Sequence, residues 1–442
     1  MTFESLGLAP ALLRALADNE YTTPTPIQEQ AIPLIMAGND VLGGAQTGTG
    51  KTAAFALPVL NRLSKLTPPA GPRKPRALVL VPTRELAVQV ADSFKTYGRH
   101  LKLNVTTLFG GVGMQPQVEQ LRRGVDVLVA CPGRLIDHLD RGSVKLDGVE
   151  VLILDEADRM LDMGFLPAIK RLLNRLPKER QTLLFSATFE AQIKQLALEF
   201  MNNPKQVQVA AQNTVVETIT HRAHPVDGSR KRDLLIQILS QRHTDQVLVF
   251  GKTKHGCNRL AEQLEEAGLP TVAIHGNKSQ AARQKALKDF KSGKARILVA
   301  TDVAARGLDI PNLPLVINHD LPMVAEDYVH RIGRTGRNGA QGEALTLVSP
   351  EEGGLLRQIQ RLLKVELQMD VVPGFAPSKP IRLDTPIPKN GGGGGQRPPG
   401  RPAVRGHARP AARPTSHAGP KQVRPSGQGA YAGKRDSRGT RA

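Results

Sequence analysis

Short apolar runs rich in β-branched residues alternate along the chain with longer segments of helical pattern. The helical segments include residues 84–97, 166–176 and 258–267. Because the apolar runs contain almost no polar position, they are typical of parallel strands that are covered by helices on both faces. The alternation therefore predicts an α/β fold. The strand-like runs are residues 77–81, 125–130, 151–154, 182–185, 246–250, 272–274, 296–300, 315–317 and 344–348.

One polar stretch divides these runs into two sets. It extends from Pro204 to Asp227 and contains no convincing helix. A chain of 442 residues is also too long for one ordinary core. We therefore expect two tandem α/β domains, at residues 1–206 and 226–375, that are joined by a linker at 207–225.

The last part of the chain, residues 376–442, has a different composition. It contains 12 Gly and 11 Pro, and 14 Lys or Arg face only two acidic residues. A segment of this kind cannot bury a core, so we expect a disordered basic tail. Arginines recur there every four residues, but the prolines between them exclude a helix. These arginines are Arg397, Arg401, Arg405, Arg409 and Arg413.

Charge and composition narrow the class of partner. The chain carries 60 Lys or Arg against 40 Asp or Glu, a net charge of +20, which predicts nucleic acid first and an anionic membrane surface second. Aromatic residues are only 3% of the chain, which favours contact with the nucleic-acid backbone over stacking on bases. No apolar run is long enough to span a bilayer, and we expect a cytoplasmic protein. Two distant cysteines, Cys131 and Cys257, exclude a zinc ribbon and a disulfide framework.

A phosphate-binding loop is predicted at residues 45–52. Gly48 and Gly50 would let backbone N–H groups surround phosphate oxygens, Lys51 would supply a positive charge, and the hydroxyl of Thr52 would face Mg²⁺. The alternative is a glycine-rich turn between a strand and a helix. The other residues of this loop are Ala45, which stands where the pattern usually has Gly, and Gln46, Thr47 and Thr49.

Four residues, Asp-Glu-Ala-Asp at 155–158, directly follow the apolar run 151–154. A carboxylate at the carboxyl end of a parallel strand lies where open α/β sheets bind ligands. We expect Asp155 to hold Mg²⁺ through water and Glu156 to polarise the attacking water. The alternative is an acidic cluster that stabilises the start of a helix.

Together these two segments resemble the DEAD-box RNA helicases of superfamily 2, and further motifs match in order over about residues 3–350. Residues 24–28 resemble the Q motif, whose glutamine, here Gln28, recognises adenine, with Phe3 as its upstream aromatic residue. The small size and basic tail most resemble the bacterial RhlE type. The other matching segments are 82–87, 110–111, 132–134, 186–188, 300–309 and 330–337.

The resemblance implies two RecA-like domains, the cofactors ATP and Mg²⁺, and RNA bound mainly through its sugar–phosphate backbone. It implies an RNA-dependent ATPase that unwinds short duplexes or remodels RNA–protein complexes, with ribosomal or RNA-decay components as possible partners. Ser186, Thr188 and His330 would couple the ATP and RNA sites, with His330 a packed relay. Asp309 would bind the ribose, although from the sequence alone it could equally be a cap. The implied RNA contacts are Thr83, Arg84, Gly111, Gly133, Arg134, Thr253, Arg283 and Thr301.

Two arginines of the matching segment 330–337 would complete the catalytic set of Lys51, Asp155 and Glu156. Arg334 and Arg337 are three residues apart, so a helix would place both on one face. Like charges on one face repel each other, so a purely structural role explains the pair poorly. We expect both arginines to contact a phosphate of ATP that the other domain presents. The alternative is a solvated basic helix end.

The sequence leaves two other functions open, and it departs from the family twice. One alternative is an ATP-gated clamp that holds RNA without productive unwinding, and another is an enzyme that acts on DNA. Cys131 stands where the family usually has Thr, either as a redox-active thiol or as a small buried residue. Glu20 stands where the family commonly has Gly.

Overall fold

Two parallel sheets form the core of the protein in the computed structural model. Both lie in one compact unit, residues 1–389. The structure describes residues 2–45, 49–65, 73–209, 219–242, 246–305, 308, 310, 313–336 and 341–386. The predicted site residues outside these ranges are Gln46, Thr47, Gly48, Asp309 and Arg337.

The first sheet has seven strands in the order β3-β4-β2-β5-β6-β1-β7, and all the pairs are parallel. Successive residues of a strand, such as Leu78 and Val79, belong to different apolar clusters, one on each face of the sheet. The strands are β1 (Val41–Gly44), β2 (Ala77–Leu80), β3 (Val105–Leu108), β4 (Val127–Ala130), β5 (Val151–Leu154), β6 (Gln181–Ser186) and β7 (Lys205–Gln208).

Nine described helices belong to this first domain, with a 3₁₀ turn at Glu4–Leu6. They are α1 (Pro10–Ala17), α2 (Pro26–Met36), α3 (Lys51–Lys65), α4 (Arg84–Tyr97), α5 (Met114–Arg122), α6 (Pro132–Asp140), α7 (Ala157–Asp162), α8 (Leu166–Leu173) and α9 (Ala191–Phe200). The start of α4 is fixed locally, because the hydroxyl of Thr83 accepts a hydrogen bond from the Leu86 N–H at 3.3 Å.

The second sheet repeats the arrangement with the order β10-β11-β9-β12-β13-β8-β14, again with parallel pairs. Its strands are β8 (Ile219–Pro225), β9 (Val247–Phe250), β10 (Thr271–Ile274), β11 (Ile297–Ala300), β12 (Leu315–Asn318), β13 (Gly342–Val348) and β14 (Gln368–Met369).

The described helices of the second domain are α10 (Lys231–Gln241), α11 (Lys254–Glu266), α12 (Gln280–Lys291), α13 (Asp302–Ala305), α14 (Ala325–Ile332) and α15 (Gly353–Leu363), with 3₁₀ turns at Gly228–Arg230 and Pro350–Glu352. The prediction of two tandem RecA-like domains with parallel, helix-covered sheets is confirmed. Within the described ranges, no helix combines the length and the apolar character that a bilayer crossing requires.

The boundaries of the linker differ from the prediction of 207–225. Strand β7 continues the first sheet to Gln208, and β8 enters the second sheet at Ile219. Both strands were missed because they are polar. β7 lies at the edge of its sheet with most of its side chains exposed, and β8 contains two His and one Arg. A search for apolar runs therefore does not detect polar strands of this kind.

The tail also begins later than the predicted residue 376. The N–H and hydroxyl of Ser378 both donate to Asp227 at 2.9 Å, and Ile381 and Leu383 pack against an apolar cluster of the second domain. The carbonyl of Arg382 lies directly against Gly353, where a Cβ atom would clash with it. Residues 376–386 therefore belong to the second domain.

Candidate functional site

A cavity of about 670 Å³ opens at the carboxyl edge of the first sheet and is lined by both domains. Lys51, Asp155 and Glu156 line it from the first domain, and Leu308 and Arg334 line it from the second. A second cavity of about 640 Å³ contains none of the predicted site residues. It lies at the amino edge of the first sheet, where α/β folds seldom bind their substrates.

The described part of the phosphate loop connects β1 to α3. The N–H of Ala45 donates to the Ser186 carbonyl at 3.1 Å, which ties the loop to β6. Gly50 has φ +90°, a backbone conformation that favours glycine, and a Cβ atom there would clash with the Gln28 amide. Lys51 is buried, and its Nζ has no hydrogen-bond partner among the described residues. This buried ammonium group suits a phosphate oxygen. Thr49 and Thr52 are partly exposed beside it.

Asp155 and Glu156 lie at the carboxyl end of β5, as predicted. Burial raises the pKa of Asp155 to about 7, while the charge of Lys51 opposes that rise and the charge of Glu156 adds to it. Asp155 accepts a hydrogen bond from the Glu156 N–H at 3.0 Å. Glu156 has φ +52°, a left-handed conformation that is unusual for a residue with a side chain. Strain of this kind is often found at functional sites.

The residues around Asp155 fit a Mg²⁺ ion that is shared with a phosphate. Asp155 and Thr52 line the same cavity and would supply oxygen ligands to it. Among the described residues, no group of three or more His, Cys, Asp or Glu side chains could hold a metal alone. An ion here would therefore complete its coordination with phosphate and water oxygens. A cation would also favour the ionised form of Asp155, whose burial disfavours it.

Gln28 is held in place by two hydrogen bonds. Its Oε1 accepts from the Thr25 N–H at 2.9 Å, and its Nε2 donates to the Gly50 carbonyl at 3.1 Å. A glutamine amide has two donor hydrogens and two acceptor lone pairs, so one donor and one acceptor stay available toward the cavity. Gln28 lines that cavity.

The predicted aromatic residue Phe3 and a residue that sequence reasoning missed, Tyr21, differ in exposure. Phe3 is 3% exposed and belongs to the apolar core of the first domain, although it also touches the cavity. Tyr21 lines the same cavity with half of its surface exposed, and its ring lies 6.1 Å from that of Tyr97. Its position in the sequence could have identified it as a site residue, because Tyr21 stands three residues before the Q-motif segment.

Asp158 links the acidic segment to the predicted coupling motif. Its carboxylate accepts hydrogen bonds from the N–H groups of Ala187, at 2.9 Å, and Thr188, at 3.1 Å. The Thr188 N–H also lies 3.3 Å from the hydroxyl of Ser186, which is fully buried. In contrast, His330 is exposed on α14 and is not the packed histidine that we expected.

The predicted RNA contacts of the first domain lie at the carboxyl edge of the sheet. A Cβ atom on Gly111, which has φ +76°, would clash with the guanidinium of Arg84. Gly111 therefore lets the Arg84 side chain pass close to the backbone. Arg134 donates to the Val112 carbonyl at 3.1 and 3.2 Å, and Gly133 is exposed beside it. The hydroxyl of Thr83 is the cap of α4.

The predicted RNA contacts of the second domain differ in accessibility. Thr253 is exposed at the start of α11, where its hydroxyl accepts from the Gly256 N–H at 3.0 Å, and Thr301 is partly exposed after β11. Arg283 is buried instead, and its Nη2 lies 2.9 Å from Oε2 of Glu85 in the first domain. The structure therefore places Arg283 in the contact between the domains rather than on an open surface.

Arg334 lines the cavity, but the prediction that it lies on the face of a helix is wrong. Helix α14 ends at Ile332, so Arg334 lies in the turn after the helix and not on a helical face. It is 6% exposed, and its Nη1 donates to the Leu308 carbonyl at 2.8 Å. The turn, rather than a helix, places Arg334 in the lining of the cavity that Lys51 and Glu156 also line.

A buried arginine of the same motif was also missed. Arg331 is 2% exposed, and its Nε and Nη2 donate to the two oxygens of Asp302 at 2.6 and 2.8 Å. Its Nη1 donates to Asn318 at 3.0 Å. The sequence does not distinguish this structural arginine from its neighbours, since all the arginines of the motif have the same chemistry.

The two departures from the family have clear structural settings. Cys131 is 9% exposed at the start of α6, and burial raises the pKa of its thiol to about 12. A protonated thiol is a poor nucleophile, which supports the buried-residue interpretation over the redox one. Glu20 has φ +58°, so the glutamate occupies a conformation that glycine adopts without strain.

Comparisons with known proteins agree with this geometry. Residues 25–196 match the DEAD/DEAH box helicase family, and residues 230–339 match the helicase conserved C-terminal domain. The chain is 43% identical over 367 residues to a DEAD-box ATP-dependent RNA helicase CshA of Geobacillus kaustophilus, covering 83% of this chain and 78% of that one.

Two further similarities extend the comparison. The chain is 44% identical over 367 residues to an ATP-dependent RNA helicase DeaD of Mycobacterium tuberculosis, covering 83% of this chain but only 64% of that protein's length. Its fold matches S. cerevisiae Dbp5 bound to RNA and ADP BeF3 with a TM-score of 0.73 and 30% identity, covering 84% of this chain and 95% of that one. The resemblance to the RhlE type in particular stays a prediction. The chain belongs to the DEAD-box RNA helicase family.

Proposed function

We propose that the protein is an ATP-dependent RNA helicase that couples RNA-stimulated ATP hydrolysis to the local unwinding of short duplexes or the remodelling of RNA–protein complexes. The observation that carries this proposal is the cavity shared by the two domains. Lys51 and Glu156 lie on one side of it and Arg334 on the other. A reaction that needs all three groups requires the domains to come together around ATP.

The geometry supports phosphoryl transfer to water. Lys51 offers a buried ammonium group without a described partner, which would neutralise charge on the phosphates. Glu156 would orient and polarise the attacking water, and Arg334 would stabilise the charge that develops as the phosphoryl bond breaks. Mg²⁺, when bound near Asp155 and Thr52, neutralises charge on the phosphate oxygens.

RNA would act through closure of the two domains. Apart from Arg283, which pairs with Glu85 between the domains, the predicted contacts follow the carboxyl ends of parallel strands. They consist of glycines, hydroxyls and arginines that fit a sugar–phosphate backbone. A strand that bridges both sets would favour the closed arrangement in which Arg334 reaches ATP. Two of the similar proteins support RNA as the ligand, since CshA is named an RNA helicase and the solved structure of Dbp5 is bound to RNA.

The test is steady-state phosphate release from ATP with and without matched RNA and DNA oligonucleotides, followed by displacement of a labelled strand from a short duplex. We expect RNA to stimulate hydrolysis at least tenfold, DNA to stimulate it weakly, and the short duplex to separate only when ATP is present. Equal stimulation by DNA would overturn the RNA assignment. Tight ATP-dependent RNA binding without turnover or strand separation would instead favour the clamp.

A further inference from the structure

A buried arginine next to the acidic segment has no role in the mechanism above. Arg159 lies on α7 directly after Asp158 and is 7% exposed. Within the part of the chain that the structure describes, its Nε and Nη2 are buried and have no hydrogen-bond partner. Guanidinium donors that are removed from water without a partner are unfavourable. An arginine at this position is therefore suited to gain a partner in another arrangement of the domains.

Carboxylates from both domains lie within electrostatic reach of this guanidinium. Burial lowers the pKa of Arg159, and four carboxylates oppose that change. Three are on its own domain, and the fourth, Asp302, is on the second domain. Of the three, Asp158 already accepts hydrogen bonds from the N–H groups of Ala187 and Thr188.

Asp302 is a rigid partner for such a contact. Arg331 holds both of its oxygens, and the guanidinium of Arg331 lies 4.9 Å from the centre of the Phe250 ring. The Asp302 side chain nevertheless keeps 23% of its surface exposed. Each carboxylate oxygen can accept a second hydrogen bond, so the pair with Arg331 leaves room for another donor.

We propose that Arg159 is a positioning residue that donates to Asp302 when the domains close around ATP and RNA, and so joins the Asp155–Asp158 segment to the start of α13. This inference rests on the proposed function, because it concerns the closure that ATP and RNA would drive. Arg159 does not line the cavity, so its effect passes through Asp158 and the coupling motif rather than through contact with ATP.

The chemistry of arginine fits this role better than that of lysine. The guanidinium presents a planar fork of five donors, which can bond carboxylates on two sides at once. A lysine would keep the charge but offer a compact ammonium group on a flexible stem. Arg159→Lys should therefore keep part of the function, whereas Arg159→Met, which has similar bulk and no charge, should lose it.

The experiment compares wild type, Arg159→Met and Arg159→Lys by ATPase kinetics with saturating RNA, and by energy transfer between dyes on the two domains. We expect Arg159→Met to lower RNA-stimulated kcat at least tenfold while KM for ATP changes less than twofold. The closed population with RNA and a non-hydrolysable ATP analogue should fall in parallel. Arg159→Lys should recover a measurable part of both. The matched control is Arg171→Met on α8, an exposed arginine that pairs with Asp140, which should behave as wild type.

Three outcomes would overturn the inference. Arg159→Met could retain kcat and closure within twofold of wild type, it could raise KM for ATP as strongly as it lowers kcat, or Arg159→Lys could be as impaired as Arg159→Met. Should Arg159→Met fail to fold, a wild-type level of closure in Arg159→Gln would overturn it equally. A wild-type protein without RNA-stimulated hydrolysis would instead overturn the proposed function, which separates the two failures.

Discussion

Glu85 on α4 and Arg283 on α12 form a buried ion pair between the two domains, with 2.9 Å between Oε2 of the carboxylate and Nη2 of the guanidinium. The other oxygen, Oε1, accepts a hydrogen bond from Gln280 at 3.1 Å. Glu85 directly follows Arg84, a predicted RNA contact, so the first turn of α4 carries that predicted contact beside an observed contact with the second domain. A change at Glu85 should therefore affect the response to RNA.

Glu85→Gln should weaken closure, because it leaves the Arg283 charge buried without its counter-ion. We expect RNA-stimulated ATPase at subsaturating RNA to fall about tenfold or more, while ATP affinity without RNA stays within twofold. A double-mutant cycle with Arg283→Gln should give a coupling energy of about 1–3 kcal/mol in RNA affinity. Additive effects of the two substitutions would show that the ion pair does not contribute to closure.

Glu156→Gln should bind ATP and RNA but lose turnover, because the amide keeps the shape of the side chain and cannot accept a proton. We expect kcat to fall by about 10²–10⁴. The matched control is Glu179→Gln, an exposed residue at the opposite edge of the sheet, which should be neutral. Phosphate release and nucleotide binding are measured on the same preparations. Hydrolysis within a few-fold of wild type would remove Glu156 from the mechanism.

Arg334→Ala should reduce hydrolysis far more than ATP binding, since a guanidinium that stabilises the developing charge acts mainly in the transition state. Removal of such an arginine costs about 10³–10⁵ in rate. The measurement is kcat with saturating RNA beside the Kd for ATP. Parallel losses in the two constants would indicate an arginine that binds ATP in the ground state.

The sequence predicted nine of the fourteen described strands and the Arg84–Tyr97 helix, because buried parallel strands are apolar throughout and helices have a regular period. It did not predict β7 and β8, whose residues are mostly polar. It also did not identify β1, which ends in two glycines, β3, which contains two threonines, or the two-residue β14. It also could not separate Arg331 from Arg334, since burial and hydrogen-bond partners depend on how β11, β12 and α14 come together. The exposure of Tyr21 and the inter-domain position of Arg283 could not be predicted for the same reason, because both depend on contacts between distant segments.

The raised pKa of Asp155 predicts a pH-dependent stability. Its pKa rises from 3.8 to about 7 in the folded protein, so the folded state binds a proton more tightly than the unfolded state. The ionised carboxylate then destabilises the protein increasingly as pH rises from about 4 to 7, and by a constant amount above that range. Asp155→Asn should therefore stabilise the nucleotide-free protein more at pH 8 than at pH 5. Chemical unfolding at both pH values measures this, and an equal difference at both would contradict a raised pKa.

Gln28→Ala should weaken the use of ATP while leaving any use of GTP unchanged. The donor and acceptor that the amide keeps available match the edge of adenine, where glutamine can bond N6 and N7 together. The loss of the bond to the Thr25 N–H should also lower stability by about 1 kcal/mol. KM values for both nucleotides and the thermal midpoint are measured. Gln89→Ala, in the same cavity, is the control, and equal losses for ATP and GTP would show that Gln28 only holds the loop.

Two truncations separate the tail from the part of residues 376–442 that packs against the second domain. Residues 387–442 carry 12 Lys or Arg and one acidic residue, and they lie outside the described ranges. Such a segment should bind RNA phosphates by releasing counter-ions, and each phosphate contact adds about 0.7 to the logarithmic salt slope for a single strand. Removal of 387–442 should therefore weaken RNA binding and flatten its salt dependence, while maximal ATPase stays unchanged.

Removal of 376–442 should have an additional effect, because it deletes the Ser378 bonds to Asp227 and the apolar contacts of Ile381 and Leu383. We expect a lower thermal midpoint for this variant than for the shorter truncation, at the same salt slope. RNA affinity across a salt series and thermal unfolding are measured for both variants and the full chain. Equal slopes for the full chain and the 387–442 deletion would exclude an electrostatic tether. Equal thermal midpoints for the two truncations would show that residues 376–386 add nothing to the stability of the second domain.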